Sequence, residues 1–257
     1  MSDSAAGTQF TVLGAVATVD DDRVGEFYAY PEHLTRCWVR GNMIASVDGG
    51  ATLAGKSGGL GGAGDRALFG RMRHAADVIV VGASTVRTED YSGARSTPAA
   101  RQARQARGQR EVPPIAVLTR TADLDHDAKL FQHTEVPPLI LTSTEGAATA
   151  RGRFGGLADV VDASGADPRE VDPAVALHAL ADRGLLRVLT EGGPSILGLF
   201  TAADLLDELC VTVAPVLVGG AATRIVTGVG HVHTPLQRSH VLTDDDGYLY
   251  CRYVRSR

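Results

Sequence analysis

Two glycine-rich stretches spell phosphate-binding signatures. Gly50-Ala51-Thr52-Leu53-Ala54-Gly55-Lys56-Ser57 fits the P-loop pattern letter by letter, with Lys56 in the place of the phosphate-binding lysine. That chemistry needs a buried strand feeding the loop and a helix starting at the Lys-Ser step, so that backbone amides face the phosphates. Here Lys56-Ser57 runs into Gly58-Gly59-Leu60-Gly61-Gly62-Ala63-Gly64. Such a run opposes helix at about 1 kcal/mol per glycine. The same residues contain the dinucleotide fingerprint G-x-G-x-x-G from Gly59 to Gly64. They lack the strand that should precede it, and the acid expected about 20 residues further on is replaced by Gly82-Ala83-Ser84. The sequence therefore predicts a mobile glycine loop beside a cleft, suited to ligand access. A P-loop nucleotide-binding protein acting through Lys56 is the alternative from a different class.

Three further segments share one design. Asn42 to Gly49 reads as a strand whose end carries Ser46, Asp48 and a glycine turn. Ala76 to Arg87 reads as a strand whose glycine end, Gly82, opens into a short helix, and Val188 to Gly198 repeats strand, glycine turn and helix. In a parallel sheet, ligands sit beyond the carboxyl ends of the strands, which is where all three segments put their glycines and polar residues. Two helix N-termini approached by glycines can hold a pyrophosphate from both sides.

The elements that must position these segments are legible from the apolar runs. Val78 to Val81, Ile115 to Leu118, Leu139 to Leu141, Val160-Val161 and Val188-Leu189 are continuous, largely β-branched and bounded by Gly, Pro or Asp, the pattern of fully buried strands. Asp172-Pro173 starts a helix well, with an N-cap and a proline in the first turn; Ala176, Leu177, Leu180 and Ala181 form its apolar face, and Gly184 stops it. Leu209 to Ala214 and Gly247 to Val254 read as strands, with Asp244 to Gly247 turning between Val241-Leu242-Thr243 and the last of them. The fold class is α/β, a mostly parallel central sheet with helices on both faces and an antiparallel C-terminal edge. Residues 1–36 form an N-terminal arm, or an extra strand (Phe10 to Val16) and helix, before a single domain over 37–257.

Together the three segments resemble the pyrimidine reductase family, the C-terminal reductase domain of the bacterial riboflavin-pathway deaminase/reductase. The family reads roughly A-x-S-x-D-G, then L-R-x-x-x-D-A-I-x-x-G-x-x-T-V, then E-G-G-x-x-L and x-x-x-P-x-x-x-G. The matches here are Ala45 to Gly49, Met72-Arg73 through Val86, Glu191 to Leu197, and Ala214 to Gly219. The resemblance implies a dihydrofolate-reductase-like fold, a homodimer, and NADPH lying along Ala45, Gly82, Thr85 and the turn Gly192, Gly193, Pro194, Ser195, Ile196, Leu197, Gly198 and Leu199. It implies that Thr119 and Arg120 meet the adenosine 2′-phosphate, that Asp48, Arg73 and Glu191 hold the pyrimidine, and that Asp48 shapes a proton route. The implied reaction reduces 5-amino-6-(5-phosphoribosylamino)uracil to its ribitylamino form; another pteridine-like substrate such as dihydrofolate is the alternative. One stretch departs from the family. Its D-N-P-x-L-x-x-R, which grips the ribose phosphate, is replaced by Arg87-Thr88-Glu89-Asp90-Tyr91-Ser92-Gly93-Ala94-Arg95, leaving Arg95 as the substitute arginine. The H-x-E and P-C-x-x-C of a zinc deaminase are missing, so deamination is excluded.

Composition bounds the rest. With 257 residues, 44% hydrophobic and 21% charged, the chain can bury a core without staples. The cysteines Cys37, Cys210 and Cys251 suggest neither a disulfide framework nor a metal site. A net charge of −5 argues against nucleic acid as a partner. Arg101, Arg104, Arg107 and Arg110, spaced by three, read as a solvated basic face on an exposed excursion. No apolar run approaches the ~20 residues of a membrane span and no basic-then-apolar leader opens the chain. The chain reads as cytoplasmic.

Overall fold

The computed structural model describes residues 18, 19, 21–228 and 230–256. Nine strands form one sheet in the order β5-β4-β3-β2-β6-β1-β7-β9-β8. In chain order they are β1 (Trp38–Ser46), β2 (Val78–Gly82), β3 (Ile115–Leu118), β4 (Leu139–Thr142), β5 (Asp159–Asp162), β6 (Arg187–Thr190), β7 (Glu208–Ala214), β8 (Leu236–Thr243) and β9 (Leu249–Arg255). Pairing is parallel from β5 through β7 and antiparallel for β7–β9 and β8–β9. The mostly parallel sheet with an antiparallel C-terminal edge is thus present.

The apolar runs explain the strands. Every residue of β2, β3 and β4 is buried, because helices cover both faces of a parallel sheet. Successive side chains point to opposite faces. Ile79 and Val81 pack with Leu68, Met72 and Ile115, while Val78 and Val80 pack with Leu177, Leu180 and Val188. Leu68 and Met72 belong to α2 (Ala63–Ala75), and Leu177 and Leu180 to α7 (Pro173–Ala181). As expected, Asp172 caps α7, its Oδ1 accepting from the amides of Ala174 and Val175 at 2.8 and 3.3 Å. Gly184 turns the chain at φ +72°.

Two other helices follow strand ends in the way the sequence suggests. These are α3 (Ala83–Thr88) after β2 and α8 (Pro194–Ala202) after β6. The remaining helices are α1 (Asp21–Phe27), α4 (Pro98–Ala106), α5 (Lys129–Gln132) and α6 (Thr144–Phe154). The strand expected at Phe10 to Val16 lies outside the described residues. The end of the predicted arm is tied to the sheet: Tyr28 and Tyr30 are buried and the Tyr30 hydroxyl donates to the Val188 carbonyl at 3.1 Å. Fully buried Arg40 pairs with fully buried Glu208 and donates to the Tyr28 and Ala29 carbonyls at 2.7 and 3.3 Å.

Two sequence expectations are corrected. Arg104 is not part of a solvated basic face. It lies on the inner side of α4, completely buried, and donates to the carbonyls of Ala76 at 2.6 Å and His74 at 2.8 Å. It therefore satisfies carbonyls that the end of α2 leaves unpaired. Burial pushes its guanidinium down to about 10. The glycine run is not loop throughout either. α2 begins inside it, and a side chain at Gly64 would strike the Tyr250 hydroxyl at 2.2 Å. A side chain at Gly62 would meet the Tyr248 ring at 2.8 Å. These glycines let the C-terminal tyrosines close onto α2.

Candidate active site

The carboxyl ends of β2, β6 and β1 lie side by side, because β6 pairs with both of the others. The β2 and β6 ends are laced further: the Glu191 amide donates to the Val80 carbonyl at 3.0 Å, and the Gly82 amide to the Gly192 carbonyl at 2.8 Å. A cleft of about 380 Å³ opens there, lined by Asn42, Met43 and Ile44 of β1, Ser84 and Thr85 of α3, and Glu191, Gly193 and Pro194. Asp65, Arg66 and Phe69 of α2 and the turn around Ser57 complete it. Larger hollows of about 580 and 610 Å³ are lined by residues 224–228 and 230–232 beside α8 and by the surroundings of β3 and β4, without residues from these three strand ends.

Glu191 is held from three directions. Its two carboxylate oxygens accept from Arg73 Nε and Nη2, both at 2.7 Å, and the Tyr91 hydroxyl donates to Oε2. Arg73 lies over the Phe69 ring at 4.3 Å. Arg73 is therefore the partner of Glu191 and does not itself line the cleft. Burial, and then the negative Glu191, hold the Tyr91 hydroxyl far above its ordinary value, so it stays a donor.

Asp48 also stands apart from the cleft lining. It sits on the exposed turn after β1 and ties that turn to the segment after β7. Its oxygens accept from the Val218 amide at 3.1 Å, the Gly219 amide at 2.7 Å and the Ser46 hydroxyl at 2.5 Å. The Ser46 hydrogen bond, then the two amides, push its carboxyl down to about 2. Asp48 is built as a fixed anion that braces a loop. Arg95 is exposed and likewise outside the lining.

The expected cofactor residues divide. Thr85, Gly193 and Pro194 line the cleft. Gly192 has φ +87°, a conformation that favours glycine, and a side chain there would crowd Met43 Sδ at 3.1 Å. Ala45 and Leu197 are buried, Ile196 and Leu199 half-buried, and Ser195 exposed. Gly82 and Gly198 serve packing: added side chains would meet Ile196 Cγ1 at 2.8 Å and the Thr227 carbonyl oxygen at 1.8 Å. Thr119 and Arg120 follow β3, whose Leu118 is in register with Gly82. Thr119 is buried, whereas Arg120 is exposed and approaches Glu170 at 3.3 Å.

Lys56 is exposed, and no helix starts at Lys56-Ser57. Leu53 and Lys56 instead exchange backbone hydrogen bonds at 2.9 and 3.1 Å in a tight turn. Glu89 holds that turn, Oε1 accepting from both the amide and the hydroxyl of Ser57 at 2.9 Å. Glu89 and Tyr91 were not singled out as site residues, although both stand in the stretch that departs from the family pattern. Asp65 was also missed; its one local signal is an acid in the first turn of a helix. The Thr212 hydroxyl of β7 donates to Asp65 Oδ1 at 2.7 Å. Burial pushes the Asp65 carboxyl up, opposed by that hydrogen bond and by Arg66.

The cleft suits an anionic nucleotide at one wall. At Gly193 an added Cβ would sit 3.0 Å from Thr85 Oγ1, so the absent side chain leaves a narrow cradle between α3 and the first turn of α8. Helix starts of this kind favour anions through unpaired amides and the helix dipole. Among the described residues, no helix is long and apolar enough to cross a membrane.

Fold and cleft together define an α/β domain with a cleft at the carboxyl ends of parallel strands. The chain belongs to the RibD C-terminal domain family, which matches residues 37–250. It is 27% identical over 211 residues to the 2,5-diamino-6-ribosylamino-4(3H)-pyrimidinone 5′-phosphate reductase of Methanothermobacter thermautotrophicus, covering 79% of this chain and 93% of that one. It is 28% identical over 195 residues to the riboflavin biosynthesis protein RibD of Mycobacterium tuberculosis, but spans only 46% of that longer protein. Among solved structures, a pyrimidine reductase-like protein from Corynebacterium diphtheriae superposes with a TM-score of 0.77 at 26% identity, over 86% of this chain and 92% of that one. A riboflavin biosynthesis reductase of Saccharomyces cerevisiae shares the fold with a TM-score of 0.66 at 13% identity, over 92% of this chain and all of that one.

Proposed function

We propose that this chain is an NADPH-dependent pyrimidine reductase of the riboflavin-biosynthesis type, reducing the ribosyl group of a 5-amino-6-(5-phosphoribosylamino)pyrimidine to a ribityl group. The observation that carries the reading is the cleft itself, which brings the Gly193–Thr85 cradle and the braced Glu191 carboxylate together at the ends of β2 and β6. When bound, the nicotinamide nucleotide supplies a hydride to the anomeric carbon of the open-chain imine, and a proton completes the amine. The chain supplies position. Gly193, Pro194 and Thr85 hold the nucleotide's phosphates, with Arg120 beyond β3 for the 2′-phosphate. Glu191, locked by Arg73 and Tyr91, keeps one orientation toward the substrate, so little reorganisation is needed when it binds. The surroundings we propose are a cytoplasmic homodimer, with a reductase domain over 37–257 and residues 1–36 as an appended segment. A different pteridine-like substrate, dihydrofolate included, is favoured by one observation: Tyr91, in the stretch that departs from the family pattern, reaches Glu191.

The test is oxidation of NADPH by the purified chain with the pyrimidine substrate, alongside dihydrofolate. NADPH should bind at least about tenfold more tightly than NADH, or ~1.4 kcal/mol. Arg120→Ala should narrow that gap, and Lys56→Ala should leave it unchanged. Equal affinity for the two cofactors, or no turnover of the pyrimidine, overturns the reading.

A further inference from the structure

Residues 52–59 run along the cleft between two firm anchors. Ala51 and Leu60 are both buried. The Ala51 amide donates to the Thr223 carbonyl at 2.7 Å, and the Leu60 carbonyl accepts from the Tyr248 hydroxyl at 3.0 Å. Between the anchors, residues 53–56, 58 and 59 are exposed and Ser57 is half-buried. The backbone bonds of this segment are local, Leu53 with Lys56 and the Ser57 carbonyl with the Leu60 amide. A side chain added at Gly58 would meet nothing within 4 Å.

Among the described residues, two hydrogen bonds tie the segment to a distant part of the chain. Both run from Ser57, amide and hydroxyl, to Oε1 of Glu89 at 2.9 Å. Glu89 directly follows α3, whose Ser84, Thr85 and Thr88 line the cleft, as do Thr52, Gly55, Ser57 and Gly58 of the segment. The contact therefore joins two walls of the cleft. Bonds to a carboxylate are stronger than neutral ones, yet both depend here on a single acceptor. A segment with so few bonds beyond its own turn opens locally at small cost in free energy.

Resting on the reductase reading, we infer that residues 52–59 are a lid on the cleft and that Glu89 is its latch, a positioning residue acting through Ser57. The latch is made of the chain's own groups, so nucleotide entry and nucleotide release both require it to part. Glu89 then sets the two rates together and the affinity much less.

The test has two arms. In the nucleotide-free chain, hydrogen exchange of the peptide covering residues 52–59 should be about tenfold faster in Glu89→Ala than in wild type, with the strands unchanged. In stopped-flow binding of NADPH, association and release should both quicken by about fivefold while the Kd stays within about threefold. Ser57→Ala, which removes one bond and keeps the other, should shift both arms in the same direction by less, and it decides the matter if Glu89→Ala does not fold. Unchanged exchange in the lid, or release that quickens while association does not, overturns the latch and leaves the reductase reading standing. Faster exchange in a chain that binds no NADPH overturns the reductase reading, and the gating role with it.

Discussion

Arg73 and Glu191 lie 118 residues apart and meet as a two-pronged ion pair, Arg73 Nε and Nη2 each 2.7 Å from a different oxygen of Glu191. The pair joins α2 to the end of β6. It fixes the acidic wall of the cleft, and the Glu191 side chain is only 3% exposed. An arginine fork matches a carboxylate in a way that a lysine ammonium does not.

Arg73→Ala should therefore leave an almost buried carboxylate without its counter-ion and lower stability by on the order of 3 kcal/mol. Arg73→Lys should recover only part of this. Adding Glu191→Ala to Arg73→Ala should cost much less than the two single losses combined. Urea unfolding measures all of these. A single loss under about 1 kcal/mol would place the pair among ordinary surface ion pairs.

Gly193→Val would put a branched side chain 3.0 Å or less from Thr85 Oγ1, in the cradle where α8 begins. NADPH affinity should fall at least tenfold, or ~1.4 kcal/mol, while thermal unfolding and the circular dichroism spectrum stay close to wild type. Wild-type affinity in a folded Gly193→Val protein would move the pyrophosphate elsewhere.

His240 packs edge-on against Phe27 and Tyr28. Burial first, then Arg252 and Arg40 against the opposing Glu208, push it down to about 4 from 6.5. The folded state thus keeps the imidazole neutral where the unfolded chain protonates it. Stability should be fully present above about 6.5 and fall as the pH drops toward about 4, because the unfolded state then binds more protons. His240→Phe should flatten the melting temperature across that window; an unchanged slope would clear His240 of the acid sensitivity.

Asp48 braces the Val218 and Gly219 amides with a carboxyl pushed down to about 2. A depressed carboxylate contributes stability above its unfolded value, and that contribution is lost as the pH falls from about 3.8 toward 2. Asp48→Asn should speed hydrogen exchange at those two amides at neutral pH and leave NADPH affinity within a few-fold. Exchange identical to wild type would mean the loop is held by other contacts.

Elements whose local pattern already states their burial were legible in the amino-acid sequence. Val78 to Val81 is apolar at every position because β2 is covered on both faces. Asp172-Pro173 starts α7 because cap and proline act within one turn. The glycine turns after β2 and β6 were legible for the same reason, since they depend on adjacent residues. What only the tertiary structure decided is which side chains face each other once distant elements dock. Arg101, Arg104 and Arg107 share one spacing, yet Arg104 is buried because α4 lies against the carbonyl end of α2. The glycines at 62 and 64 read as flexibility, but they are clearance for Tyr248 and Tyr250 from the far end of the chain. Asp65 meets Thr212 across 147 residues, and Tyr91 meets Glu191 across 100. Periodicity and turn chemistry are set by neighbours along the chain, whereas a hydrogen-bond partner is set by the order in which strands enter the sheet.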